Sequence, residues 1–278
     1  MPYASRMAAS TRTPVLDPPP VVGGRRDVFA RAGRRTPFEV VTDDGVRLRG
    51  DRLAGGPTAL VFCHGFLGKR GKKRLVAFQR DLLPWFTVYA FDFRGHGQST
   101  GKCAFGATEE KDVEAVVRRA RADGFERVAT LGASMGGIAV IRHAGIVGGV
   151  DAVVAISTPA TWEGHDTEAV RRMIWLTSRR FGRLLLRAAG VRVVGRWARR
   201  EAPVEVVGRI APIPLILVHG RDDHYFSEES AWALYRNAAC PKRLLIASRF
   251  GHAEDGYTAA FADKVAAEIE RALEENRV

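Results

Sequence analysis

Apolar residues in this chain come in short unbroken runs separated by stretches of helical spacing. Thr58–Cys63 and residues 87–91, 127–131, 151–157, 214–220 and 243–247 each read as a strand buried on both faces. Between them, Leu75, Phe78, Leu82 and Leu83 follow a helical period, as do Val113, Val116, Val117 and Ala120. Residues 138–144, apolar but for Arg142 and His143, suit a buried helix, a further helix is predicted near 229–237, and 259–273 are amphipathic. Ahead of all these, 38–42 and 46–50 alternate in polarity around Asp43-Asp44-Gly45, which predicts a β-hairpin. Strands alternating with helices in this way predict an α/β fold: a mostly parallel sheet with helices on both faces.

Two regions break the alternation. Residues 1–36, with Pro18-Pro19-Pro20 and Gly23-Gly24, have no sustained period and are expected to form a flexible basic N-terminal arm. Residues 160–210 are expected to be a helical cap inserted into a core made of 37–159 and 211–278. Within the insertion Val170, Met173, Ile174, Thr177, Phe181, Leu184, Leu185 and Ala188 recur as one apolar stripe along a helix closed by Gly190. Arg172, Arg179, Arg180, Arg183 and Arg187 fall opposite, with Trp175 and Leu186 among them.

A chain of 278 residues suits one large α/β domain, and 46% hydrophobic with 27% charged residues is ordinary for a soluble protein. No apolar run reaches the ~20 residues a bilayer span needs, and Arg6 and Arg12 are followed by no apolar signal segment. Three cysteines without metal-ligand spacing read as reduced thiols, so a cytoplasmic protein with no metal and no cofactor is expected. The net charge of +12 is local: residues 1–36 carry +5, 69–74 carry +5 and 160–201 carry +6, leaving the remainder at −4. Such appended charge argues against a nucleic-acid-binding fold and for solvated arginine-rich faces or local anion-attracting surfaces.

The chemistry centres on Gly132-Ala133-Ser134-Met135-Gly136, which joins a strand to a helix as a nucleophile elbow does. Serine is a poor nucleophile near neutral pH and needs a base to take its proton and an acid to orient that base. Asp222 and Asp223 follow the penultimate strand and His252 follows the last one, so Ser, Asp and His come in the order this arrangement requires. All three loops leave the same edge of a parallel sheet, where open α/β sheets place their ligands. The developing oxyanion needs two backbone donors, and the amides of Met135 and Phe66 are the candidates.

His64-Gly65-Phe66, Asp92-x-Arg94-Gly95-His96-Gly97-x-Ser99, Gly132-x-Ser134-x-Gly136, Gly220-x-x-Asp223 and Gly251-His252, in this order, resemble the α/β-hydrolase superfamily across about residues 37–275. Within it the chain is most similar to the serine-aminopeptidase-like and monoacylglycerol-lipase-like group. The resemblance implies an eight-stranded sheet with a short helical cap, and it selects Asp223 over Asp222 as the acid. His224-Tyr225-Phe226 departs from the proline and small apolar residues usual after that acid. His64 and His96 are expected to hold loops, His143 and His219 to pack or cap, and His165 and His224 to edge the pocket.

The expected function is a serine hydrolase acting on a carboxylic ester or thioester with an apolar acyl group, through Ser134, His252 and Asp223. Acyl transfer, peptidase action and perhydrolysis would use the same residues, and a catalytically silent ligand-binding member is the reading from another class. Met173, Phe181 and Leu184 are expected to line the acyl pocket under the cap. The alternative for the cap is peripheral contact with an anionic membrane surface. Residues 69–74, beside Phe66, are expected either to attract an anionic substrate or to lie solvated.

Overall fold

The hairpin pairs β1 (Arg35–Val41) with β2 (Arg47–Leu53), Val41 standing opposite Arg47 across the turn at 43–45. The computed structural model describes residues 33–164, 167–195 and 200–276. The expected arm up to residue 32, and His165, lie outside the described residues. The chain continues through β3 (Thr58–Cys63), α1 (Lys73–Asp81), β4 (Phe86–Phe91), α2 (Glu110–Ala122), β5 (Val128–Ala133), α3 (Met135–Ile146) and β6 (Ala152–Ile156). Two cap helices, α4 (Glu168–Ser178) and α5 (Arg180–Ala188), precede the short α6 (Pro203–Val206). Then come β7 (Leu215–Gly220), α7 (Glu228–Asn237), β8 (Lys242–Ala247) and α8 (Ala259–Glu275).

The eight strands form one sheet in the order β1-β2-β4-β3-β5-β6-β7-β8. β1 and β2 run antiparallel to their neighbours, and every pairing from β4 to β8 is parallel. The unbroken apolar runs are explained by burial on two faces. Ala59, Val61 and Cys63 of β3 pack with Val113, Val116 and Val140 of α2 and α3, whereas Leu60 and Phe62 pack with Phe78, Leu82 and Ile269 on the α1 and α8 side. The side chains alternate across the strand, and both directions lead into a core. Among the described residues no helix is long and apolar enough to cross a membrane.

The cap corrects the expectation of one helix with one stripe. Arg179 is extended, with φ −89° and ψ 145°, and separates α4 from α5. An extended residue resets the helical phase, so a period read across it assigns the second helix to the wrong face. Val170 is buried and Met173 packs against the core, as the stripe requires of α4, but Leu176, outside the stripe, also packs there while Ile174, within it, is 55% exposed. In α5 the inward residue is Leu186, 4% exposed, while Phe181 and Leu184 are 62% and 63% exposed. Phe181 and Leu184 therefore do not pack inward as expected, and Leu186 does not stand among the arginines. Gly182 permits the tight crossing, since a Cβ there would lie 2.3 Å from the Leu176 carbonyl oxygen.

The chain returns from the cap along the core. Val191 and Val193 form isolated bridges with His96 and Cys103, and Gly190, at φ 84°, ends α5 as expected. Val206, Val207 and Ile210, at the end of the expected insertion, are fully buried in the main core.

Candidate active site

Ser134 sits between β5 and α3 at φ 54° and ψ −117°, a conformation that costs a non-glycine residue energy and that only dense surroundings maintain. A Cβ on Gly132 would lie 2.1 Å from the Gly136 carbonyl oxygen, and one on Gly136 would lie 2.2 Å from that of Cys63. The strand, the turn and the loop after β3 thus meet at backbone contact. The Ser134 N–H donates to the Ile156 carbonyl at 2.8 Å, and the residue stays partly accessible while both its neighbours are buried.

Asp223 and His252 are brought together at the ends of β7 and β8. His252 Nδ1 lies 2.8 Å from Asp223 Oδ2, and the Asp223 side chain is 1% exposed. Asp223 Oδ1 accepts from the Tyr225 and Phe226 N–H groups at 2.8 and 3.1 Å. Burial alone would raise this carboxyl, but the hydrogen bond and charge of His252, with the two backbone donors, outweigh it and hold the group below its ordinary value. Asp222 is exposed, and its backbone N–H donates to the Phe250 carbonyl.

The departure at 224–226 surrounds the imidazole with rings. The centroids of Tyr225, Phe226 and His224 stand 4.4, 5.5 and 6.1 Å from that of His252. His219, fully buried, faces the Phe226 carbonyl with Nε2 at 2.9 Å and so packs as expected. Thr167 Oγ1 caps α4 and also donates to the Tyr225 carbonyl at 3.2 Å, tying the cap to the acid loop.

The loop after β3 passes beside Ser134: a Cβ on Gly65 would lie 3.6 Å from Ser134 Cβ. His64 Nε2 accepts from the Phe93 N–H at 3.1 Å, which leaves Nδ1 to donate to the Gly65 carbonyl at 2.7 Å. Burial and the neighbouring His96 push His64 down to about 3, so it stays neutral. His96, also lowered by burial, bonds the Phe66 carbonyl through Nε2. These two histidines hold the loop that carries the Phe66 amide, the role expected of them. His143 bonds Glu114 between α3 and α2, and burial pushes the Cys63 thiol up, away from a nucleophilic thiolate.

The basic loop at 69–74 is neither bare nor simply solvated. Arg70 is held by Asp51 and Asp92, Lys72 by Glu254 at 2.7 Å and Arg74 by Asp255 at 3.4 Å. Asp255 Oδ2 in turn accepts the His252 N–H at 3.1 Å, so these cations clamp the turn that carries the histidine.

Ser157 was not legible as part of the site because it lacks the elbow pattern. It follows β6 as Ser134 follows β5, is fully buried at φ 49°, and accepts the Ala253 N–H on Oγ at 3.0 Å. Ala253, the neighbour of His252, also has φ 49°. The only sequence signal was a serine at the same sheet edge.

Comparison with known proteins agrees with this architecture. The Bacillus subtilis (strain 168) protein YqkD, itself uncharacterized, is 27% identical over 228 residues, covering 79% of this chain and 73% of its own. The Pyrococcus furiosus esterase Pf2001 superposes with a TM-score of 0.68 at 23% identity, over 92% of this chain and 99% of that one. The esterase RhEst1 from Rhodococcus sp. ECU1013 gives 0.66 at 20% identity, over 84% and 98%. Residues 60–275 match the alpha/beta hydrolase family, and with its eight-stranded sheet and strained Ser134 turn the chain belongs to that family of enzymes.

Proposed function

We propose that the protein hydrolyses a carboxylic ester or thioester with an apolar acyl group through an acyl-enzyme on Ser134. The observation that carries this reading is the 2.8 Å contact of His252 Nδ1 with a buried Asp223 carboxylate at the sheet edge of Ser134. Asp223 keeps the proton of His252 on Nδ1, which leaves Nε2 free to take the Ser134 hydroxyl proton. Ser134 Oγ then bonds the acyl carbon, and the Phe66 and Met135 N–H groups receive the oxyanion. Each such donor is worth roughly 3–4 kcal/mol of transition-state stabilisation. Collapse breaks the bond to the leaving oxygen or sulfur, which takes the proton back from His252. Water, deprotonated by His252, attacks the acyl-enzyme and releases the acid.

Met173, at the inward side of α4, is the cap residue best placed to meet the acyl chain, since it packs against the core. Phe181 and Leu184, exposed on α5, are not assigned to this pocket.

A panel of aryl esters and acyl thioesters of graded chain length, run beside Ser134→Ala, tests the reading. Turnover by the native chain and its loss in the variant are expected, with a fluorophosphonate adduct mapping to Ser134. Unchanged turnover or labelling of Ser134→Ala would remove the assignment, and no turnover by folded native protein would favour a silent ligand-binding member.

A further inference from the structure

Of the ten large apolar residues exposed on the described residues, five stand on the two cap helices: Ile174, Trp175, Phe181, Leu184 and Leu185, at 45–63% exposure. Residues 168–190 also hold six arginines against one acid, Glu168, which Arg172 already engages. Arg179, Arg180 and Arg187 are exposed. The close crossing at Gly182 makes α4 and α5 one unit, so that Val170, Met173 and Leu186 face the core and the five apolar residues face away from it. We propose that this outward face of the cap docks on an anionic lipid surface.

Charge selects the occupant. A second copy meeting the same face would set six arginines against six, and the chain's own residues 1–32 hold five arginines against Asp17 and Asp27, so neither complements it. An anionic bilayer does. Tryptophan, phenylalanine and leucine on helices flanked by arginines match an interfacial helix, whose apolar side chains enter the acyl boundary while the guanidinium groups stay at the headgroups. Thr167 ties α4 to the acid loop, so docking would bring the bilayer to the side of the molecule that carries His252. The proposal does not depend on the chemistry of Ser134, and it can be tested equally with the Ser134→Ala protein.

The test is flotation of the full chain with vesicles of phosphatidylcholine alone and of phosphatidylcholine mixed equally with phosphatidylglycerol. Binding to the anionic vesicles alone is expected, weakening as salt is raised. Phe181→Ser with Leu184→Ser removes two side chains of a size that should each contribute about tenfold to vesicle affinity. Arg180→Glu with Arg187→Glu should abolish the preference for anionic lipid, and thermal melting of both variants verifies that they fold. Absence of flotation with anionic vesicles would overturn the proposal, as would undiminished flotation of both folded variants. A dimer in sedimentation that Phe181→Ser with Leu184→Ser dissolves would assign the face to a second copy instead. Binding that appears only after removal of residues 1–32 would assign it to the chain's own arm.

Discussion

Replacing Asp223 by asparagine tests the proposed mechanism at a point where the structure fixes the outcome. One carboxylate oxygen of Asp223 accepts two backbone N–H groups, at 2.8 and 3.1 Å, and the other faces His252 Nδ1 at 2.8 Å. An asparagine amide in this frame must turn its oxygen to the two backbone donors, because its NH₂ cannot face them. The NH₂ then points at His252 Nδ1 and donates to it. The imidazole is forced to carry its proton on Nε2, the atom that must be bare to accept the Ser134 proton. The same inversion of tautomer in a serine protease costs a factor of ~10⁴ in kcat, or about 5.4 kcal/mol. Steady-state hydrolysis of a short-chain aryl ester by Asp223→Asn should fall by that order with KM little changed. Asp222→Asn, on an exposed side chain, should retain most activity. A loss of less than about tenfold in Asp223→Asn, or an equal loss in Asp222→Asn, would refute the assignment of the acid and the tautomer argument with it.

Ser157→Ala leaves the Ala253 N–H without its acceptor, a deficit of about 1–3 kcal/mol. Because Ala253 adjoins His252, kcat for the aryl ester should drop about tenfold while fluorophosphonate labelling of Ser134 slows but persists; unaltered kinetics would show that Ser157 does not position the histidine. Gly136→Ala would set a Cβ 2.2 Å from the Cys63 carbonyl oxygen, and a melting temperature several degrees lower, or insoluble protein, is expected. Asp223 is depressed in the folded state, so its stabilisation is complete above the unfolded carboxyl value of about 3.9 and is lost as pH falls through the lower folded value. The stability gap between native protein and Asp223→Asn, followed by urea melts, should therefore be constant near neutrality and close only in acid. Met173→Ala should shift the preferred acyl chain length, since methylene discrimination in such pockets is worth ~1–3 kcal/mol.

The inner strands β3 to β7 were readable because burial on both faces leaves an unbroken apolar signature, as Val61 beside Phe62 shows, whereas β8, read the same way, is only half-buried. The elbow was readable because its geometry admits few residue types at 132 and 136. The cap was only half readable. A single extended residue, Arg179, changes which side of α5 meets the core, and nothing in the local pattern announces it. The pairing of the exposed basic loop was not readable for another reason: its partners Glu254 and Asp255 lie some 180 residues away, and a charge run carries no mark of distant carboxylates. Ser157 and Ala253 meet across 96 residues, a proximity created by β6 and β8 flanking β7.

The way Ser134 and His252 are held has an evolutionary consequence. Ser134 N–H is bonded to Ile156 of the neighbouring strand, Ser157 N–H to Val218 of the next, and Ala253 N–H to Ser157 Oγ. The proposed nucleophile and base are thus spaced largely by main-chain bonds stepping across successive strands, not by the side chains that line the approach. The catalytic spacing and the substrate-facing surface can then vary separately. A library randomised at Met173 and its neighbours on α4 should yield many folded, reactive members with scattered selectivity, whereas one randomised at 132, 136 and 157 should yield few that react at all. A catalyst divided in this way can be retargeted by drift in its cap alone.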